Sequence, residues 1–546
     1  MLKFIALSGT VSVTENLYIY EADGRMMIVD CGVGFPDLDM RGVDLVIPDF
    51  SYVVKNKDKL DGIVVSQGHE DHIGAIPFLL REVNVPIFAA PLVAEFLKDK
   101  LEEFGIKDYK INTFNTDSGD FRVGPFRVSP FSVTHSIPDT VGFAIDTPEG
   151  RVMHVPEHRI DQDAIVGRPF NIPRAKELSK DVLFLASDCL GSNKPGFVNG
   201  ERSVEGNMEK IARGAKFAIF ATAISSNIGR FQQMINVARR LGRKVILVGR
   251  SIQKKVEIAY KLGYIDIPSD LVISYRESRR FKRNELFYIV SGCYGQVGSS
   301  LYQISLGEHE RVVIENGDTM IISADPAPPY SKETQDFVID QLVDRGVDVH
   351  YYELKEGIYV SGHGGQEDIL ELFRIVRPKY FIPIGGAIRY MRAYEKLLED
   401  KFATPNEYVF KLKPGENIIF ESGSVRRGEP VKTRKVLVHG LGVGDVGKVV
   451  LGERAILGTE GIAVAVIKVR GGQRIDGVNI ISRGFVFEKF SYELLNDAEK
   501  RLKSRLEKKR IFDKKSIHSE ALWYLEDFFY QKTGRHPMVL PVVVEI

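Results

Sequence analysis

This sequence predicts an α/β fold spread over several domains, on three observations. Its 546 residues call for roughly three or four cores at about 100–200 residues per domain. Over residues 1–202, short apolar runs alternate with helical periodicity, the pattern of a layered sheet, and a similar pattern recurs further on. A glycine-rich break then sets off the tail.

Taken in order, residues 1–7 read as the first strand, because Ser8-Gly9-Thr10 breaks the apolar run too soon for a signal peptide. Residues 17–20, 26–30, 62–66, 126–132 and 151–155 read as strands, and 77–83 and 91–104 as helices. A second α/β unit spans 203–350, with strands at 217–221 and 244–248 and a helix at 231–241. The first unit resumes over 351–431. A polar connector at 428–435 and the run Gly440-Leu441-Gly442-Val443-Gly444 make 432–450 a linker. The tail, 451–546, reads as a small α+β domain with strands at 461–469 and 538–545 and helices at 491–509 and 516–531.

Composition narrows the function classes. A net charge of +1 gives no global attraction for nucleic acid or anionic membrane, so polyanion binding needs a local patch. Cys31, Cys189 and Cys293 are far apart and odd in number, which points away from a disulfide framework and towards a reducing cytoplasm. No apolar run reaches the roughly 20 residues needed to span a bilayer. The basic run Arg501, Lys503, Arg505, Lys508, Lys509, Arg510 reads first as a solvated helix face and second as an RNA contact.

The chemistry concentrates at strand ends. Ser66-Gln67-Gly68-His69-Glu70-Asp71-His72 follows an apolar strand, and its two imidazoles and carboxylate suit a divalent metal taking nitrogen and oxygen donors. Asp30 ends another strand and reads either as an outer carboxylate holding a ligand histidine or as a turn cap. His135 and Asp188 sit past further strands. Glu157 reads either as a carboxylate bridging two ions, one methylene longer than Asp, or as a surface charge beside His158 and Arg159. Ser361-Gly362-His363-Gly364-Gly365 is a small-residue loop whose successive N–H groups could cradle a phosphate, or a plain tight turn.

With one more histidine, at 67, the first motif would read H-x-H-x-D-H, the signature of the metallo-β-lactamase fold. The order of these pieces, with Arg41-Gly42-Val43-Asp44-Leu45-Val46-Ile47-Pro48-Asp49, residues 440–450 and Arg535-His536-Pro537-Met538, resembles the ribonuclease J family of β-CASP metallo-β-lactamase nucleases over nearly the whole chain. The resemblance implies a metallo-β-lactamase αββα sandwich split by a β-CASP insertion, then the linker and C-terminal domain. It also implies RNA as substrate, two zinc ions, a homo-dimer or tetramer and a cytoplasmic role in RNA maturation and decay.

The departures from the family pattern carry equal weight. The first motif histidine is Gln67, the bridging aspartate is Glu157, the late histidine falls at Gly385, and an insertion-domain histidine falls at Gly229. One metal would then see Gln67, His69, His135 and Glu157, just reaching three ligands. The other would see Asp71, His72 and the shared Glu157, with nothing from Gly385, and so would fall to two ligands of its own. Ser361, His363 and Gly364 match the family's RNA phosphate-binding residues, Gly365 stands where a serine is usual, and Asp188 is retained. The resemblance thus implies an RNA-binding protein with zinc sub-stoichiometric or absent, weak or absent hydrolysis, and a place beside an intact ribonuclease J in a hetero-oligomer. The alternative is an active 5′–3′ exo- or endoribonuclease, with one zinc at the first site or with His154 or His158 recruited as a substitute ligand, and two zinc ions if both sites fill.

Overall fold

Successive residues of the central strands bury their side chains on opposite faces, as the two-residue period of a strand requires. Val152 and Phe184 point into one core with Phe4, Tyr18, Tyr20 and Phe143, whereas their neighbours Met153 and Leu185 join a second core with Leu372, Phe373 and Leu398. A layer buried on both sides needs a sheet on one face and helices on the other. The computed structural model, which describes residues 1–37, 39–326, 331–354, 356–472, 474–486 and 488–546, shows this arrangement.

Two units divide the chain: residues 1–35 with 45–436, and residues 36–44 with 437–546. In the first, an eight-stranded sheet runs in the order Ser424–Arg427, Asn417–Glu421, Leu2–Ser8, Leu17–Ala22, Arg25–Val29, Leu60–Val64, Ile87–Ala89, Ile111–Thr113. A six-stranded sheet runs Tyr380–Ile384, Val182–Asp188, Gly150–Val155, Val141–Thr147, Phe126–Ser132, Phe121–Val123. Side chains of both sheets fill the core between them, and the helices Ile172–Leu178, Gln366–Val376 and Ile388–Phe402 cover the second sheet's outer face. Phe184 anchors the sandwich, its ring 5.5 Å from Phe4, 6.3 Å from Tyr20 and 5.2 Å from Phe420.

Strands Val182–Asp188 and Tyr380–Ile384 are parallel neighbours, Asp188 opposite Ile384. The chain between them builds a separate sheet of five parallel strands, in the order Lys244–Val248, Leu286–Val290, Ile219–Thr222, Thr319–Ile322, Asp348–His350. This is the layout of an insertion into the sandwich.

The second unit has a three-stranded sheet, Arg474–Arg483, Ile462–Arg470, Met538–Glu545, and helices Glu488–Lys508 and Lys514–Thr533. Ala463, Ala465, Ile467 and Val469 face Leu502, Leu506, Leu525 and Phe529. The strand Arg474–Arg483 escapes a hydrophobic-run reading because Asp476, Gly477 and Asn479 interrupt it. The stretch read as linker also holds structure, a short hairpin of Val436–His439 and Gly442–Val443, and a helix, Lys448–Thr459, begins inside it.

Candidate metal centre

The motif residues sit at the carboxyl ends of parallel strands, where an α/β sheet places its ligands. Strand Arg25–Val29 ends at Asp30 beside Leu60–Val64, which leads into the Ser66–His72 motif. Gly150–Val155 leads to Glu157, Val182–Asp188 ends on Asp188, and Tyr380–Ile384 leads to Gly385.

His69, His135 and Glu157 form one cluster of donor atoms within 4.8 Å of one another, and Asp71, His72 and Glu157 form a second. Glu157 serves both, with Oε2 2.9 Å from His135 Nε2 and Oε1 3.2 Å from His72 Nε2. The second cluster therefore holds the three residues expected there, Asp71 and His72 with the shared Glu157, whose carboxylate reaches across both sides. His135 Nε2 makes no hydrogen bond of good geometry, although it is buried. Imidazole and carboxylate donors that converge this closely fit a cation, and the donor types suit zinc.

Outer groups fix the ligands. The buried Asp30 carboxylate accepts from His72 Nδ1 at 2.8 Å, from Ser66 N at 2.8 Å and from Ser66 Oγ at 2.6 Å. His135 donates Nδ1–H to the Gly362 carbonyl at 2.9 Å, which turns Nε2 towards Glu157. Ser136 Oγ lies 3.1 Å from His69 Nε2. Nothing in the local sequence announces the Gly362 and Ser136 contacts, since a carbonyl and a lone serine carry no pattern.

The replaced positions have their own geometry. Gln67 is fully buried and its amide donates to Glu157 Oε2, while its Oε1 has no partner. Gly385 has φ +64°, and a Cβ there would meet nothing closer than Asp188 Oδ1 at 3.7 Å. Asn16, which the sequence does not single out, places Nδ2 3.2 Å from His72 Nε2 and 3.5 Å from Asp71 Oδ2, an amide donor facing the second cluster.

Burial, with His135 alongside, holds His69 well below the usual histidine range, leaving the neutral imidazole a metal needs. Burial would raise Glu157, but His72, His363 and His135 outweigh it and keep the carboxylate charged. At His72, burial is outweighed by Asp30, Glu157 and Asp71, which push its pKa up. Burial and Glu157 push Asp71 up to about 7.

The Ser361–Gly365 loop closes the other side. His363 Nδ1 bonds Asp188 Oδ2 at 2.7 Å, and its Nε2 lies 4.0 Å from Glu157 Oε1. Burial disfavours its proton, but Asp188 and Glu157 win and bring its pKa up to about 9. The expected cradle of backbone amides is not free. His363 N is held by Ser361 Oγ at 3.1 Å, Gly364 N by the His158 carbonyl at 2.7 Å and Gly365 N by Asp368 Oδ2 at 2.9 Å. The glycines serve close packing: a Cβ at Gly362 would stand 2.6 Å from His135 Cε1, and one at Gly364 2.4 Å from Asp368 Cβ.

Neither substitute histidine joins a cluster of three donors among the described residues. His154 lies on a strand whose side chain points into the sandwich, with Nδ1 2.9 Å from Tyr20 OH, and His158 packs on Phe170. Burial pulls His154 down from 6.5 to about 4. As pH falls below 6.5 the unfolded chain takes up a proton that the folded chain refuses, so stability is lost between pH 6.5 and about 4, by about 3 kcal/mol from this group. Urea titrations of the wild type and His154→Gln should show a shallower decline in the variant; parallel declines would count against it.

Four family profiles match the chain: a beta-lactamase superfamily domain over residues 25–170, a ribonuclease J beta-CASP domain over 216–342, a Zn-dependent metallo-hydrolase RNA specificity domain over 351–409 and a ribonuclease J C-terminal domain over 449–546. Ribonuclease J 1 of Streptococcus pyogenes serotype M3 is 33% identical over 99% of this chain and 97% of its own length. The chain belongs to the ribonuclease J family. Ribonuclease J 2 of Staphylococcus epidermidis is also 33% identical, over 100% of this chain and 98% of its own, and that of Staphylococcus aureus is 32% identical with the same coverage. A crystal structure of a protein of unknown function from Enterococcus faecalis shares the fold, with TM-score 0.55 and 15% identity over 77% of this chain and 100% of that one. As a ribonuclease J-family chain it combines a metallo-β-lactamase domain, a β-CASP insertion and the family's C-terminal domain. Among the described residues no helix is long and apolar enough to cross a membrane.

Proposed function

We propose that this ribonuclease J-family chain binds RNA in RNA maturation and decay, hydrolyses phosphodiesters weakly or not at all, and works in the cytoplasm as the partner of an active ribonuclease. One observation carries this reading: a neutral amide, Gln67, bonds the Glu157 oxygen that faces His135, and Gly385 offers the second cluster no donor. A bound divalent metal would lower the pKa of water and screen charge on the scissile phosphate. His69, His135 and Glu157 would hold it best, since Asn16 points an amide at the other cluster. Asp30 holds His72 from behind, and Asp188 orients His363. On the RNA side, His363 Nε2 faces the centre, in one loop with Ser361, Gly364 and Gly365, and phosphate contacts supply much of the affinity for RNA.

The test is elemental analysis of the purified chain, with binding and cleavage of a 5′-monophosphorylated RNA. Expected are less than one zinc per chain, RNA retention that His363→Ala weakens strongly but measurably without unfolding the protein, and little or no cleavage. Two tightly held zincs with turnover would overturn the reading. The three-donor cluster at His69, His135 and Glu157 favours a second reading, an active metal-dependent 5′–3′ exo- or endoribonuclease on a single zinc, for which one zinc per chain and cleavage are expected. A homo-dimer or tetramer, or a hetero-oligomer with an intact ribonuclease J, is the expected assembly.

A further inference from the structure

The segment that carries Ser361 and His363 is suspended by its carbonyl oxygens. Asn207 Nδ2 donates to Gly357 O at 3.2 Å, Arg230 Nη1 to Ile358 O at 3.0 Å and Arg159 Nη1 to Ser361 O at 3.0 Å. Ser323 Oγ also donates to Ile358 O. Arg159 and Arg230 are 2% and 0% exposed, among the largest buried side chains of the chain. Buried guanidinium groups need a countercharge, and both find it in one carboxylate. Glu201, 5% exposed, accepts from Arg159 Nη2 through Oε2 at 2.8 Å and from Arg230 Nε through Oε1 at 3.2 Å, with Arg230 Nη2 on the same oxygen. Asp161 Oδ2 lies 3.5 Å from Arg159 and accepts from Glu201 N at 3.2 Å.

The three residues come from separate parts of the chain. Arg159 lies two positions after Glu157, and its backbone N–H donates to Thr134 O, next to His135, at 2.9 Å. Glu201 precedes the helix Arg202–Gly214, and Arg230 sits in the first turn of the helix Ile228–Arg240 in the insertion. Each planar guanidinium spans the carboxylate and a backbone carbonyl at once, a geometry that lysine cannot reproduce.

We infer that Glu201 is a positioning residue for RNA: by bridging Arg159 and Arg230 it holds the 358–361 backbone so that His363 faces the centre. The inference rests on the reading of that loop as the RNA phosphate site. It assigns no contact with RNA to Glu201 itself. Removing the carboxylate takes the paired charge from Arg230 and leaves Arg159 only Asp161, 3.5 Å away, which loosens the carbonyls that hang the loop.

The experiment measures the Kd of the full-length protein for a fluorescent 5′-monophosphorylated single-stranded RNA, in the wild type, Glu201→Gln, Arg159→Lys and His363→Ala, and with each of the first two combined with His363→Ala. Circular dichroism and melting checks the fold. Arg159→Lys retains the positive charge beside Glu201, so it carries the test if Glu201→Gln fails to fold. Expected is at least tenfold weaker binding for Glu201→Gln and Arg159→Lys, and no further loss when either is added to His363→Ala, because both act through the loop. Single variants that bind as the wild type, or a loss of equal size with and without His363, would overturn the inference while leaving the RNA site standing. A wild type that binds no RNA, or His363→Ala that binds as the wild type, would instead remove the RNA reading and the inference with it.

Discussion

Replacing Asp30 by alanine is expected to lower the free energy of unfolding by about 3–5 kcal/mol, the loss typical when one partner of a buried charged pair is removed. Asp30 is 0% exposed and accepts three hydrogen bonds, one from His72 and two from Ser66. Without it, the Ser66 amide would lose its acceptor and the His72 imidazole would be left with only the longer 3.3 Å contact to Ser66 Oγ. The backbone adds to the cost, since Asp30 has φ +61°, a left-handed conformation that asparagine and aspartate tolerate better than alanine. Urea unfolding of Asp30→Ala and Asp30→Asn should rank alanine as the more damaging. A loss below about 1 kcal/mol in Asp30→Ala would mean that other groups capture the released donors.

The second large effect is expected at Gln67. Changing Gln67 to histidine removes the amide that occupies Glu157 Oε2 and adds an imidazole beside His69 and His135. Catalytic zinc sites hold at least three protein ligands, so the change gives the first cluster a fourth donor beyond the minimum that His69, His135 and Glu157 supply. Outer partners of a ligand are worth about 10–100-fold in metal affinity, which sets a floor for a new direct ligand. Chelator competition should therefore show zinc affinity higher by more than tenfold, with occupancy approaching one per chain. Gly385→His added to Gln67→His should raise zinc content further. The space at Gly385 is open, but its φ of +64° makes any side chain cost about 1–2 kcal/mol of strain. Zinc content unchanged in both variants would show that donor number is not what limits the site.

Much of this centre could be read from the chain before its fold. His69, Asp71, His72, His135 and Glu157 each follow an apolar strand, and strands of two packed sheets that end at the same end of the sandwich bring their loops together. The strand reading of 126–132 matches the element found, because Phe126 and residues 128–132 are buried, with Arg127 alone exposed. What could not be read are contacts made by backbone atoms or by residues with no pattern, such as the Gly362 carbonyl on His135, Asn16 beside His72, and the Arg159–Glu201–Arg230 bridge. The glycine loop was legible as special but its use was not. Glycine signals either free amides or close packing, and only the positions of His135, His158 and Asp368 decide for packing.

The bond between His135 and the Gly362 carbonyl joins residues 227 positions apart. A ribosome adding about 5–20 residues per second needs roughly 10–45 s to travel that far. For that interval the early half of the cage stands without the carbonyl that aims one of its rings, and the first strand, Leu2–Ser8, waits longer still for its neighbour Asn417–Glu421. The amino-terminal strand therefore cannot complete its sheet until residue 421 has been made, about three-quarters of the way along the chain.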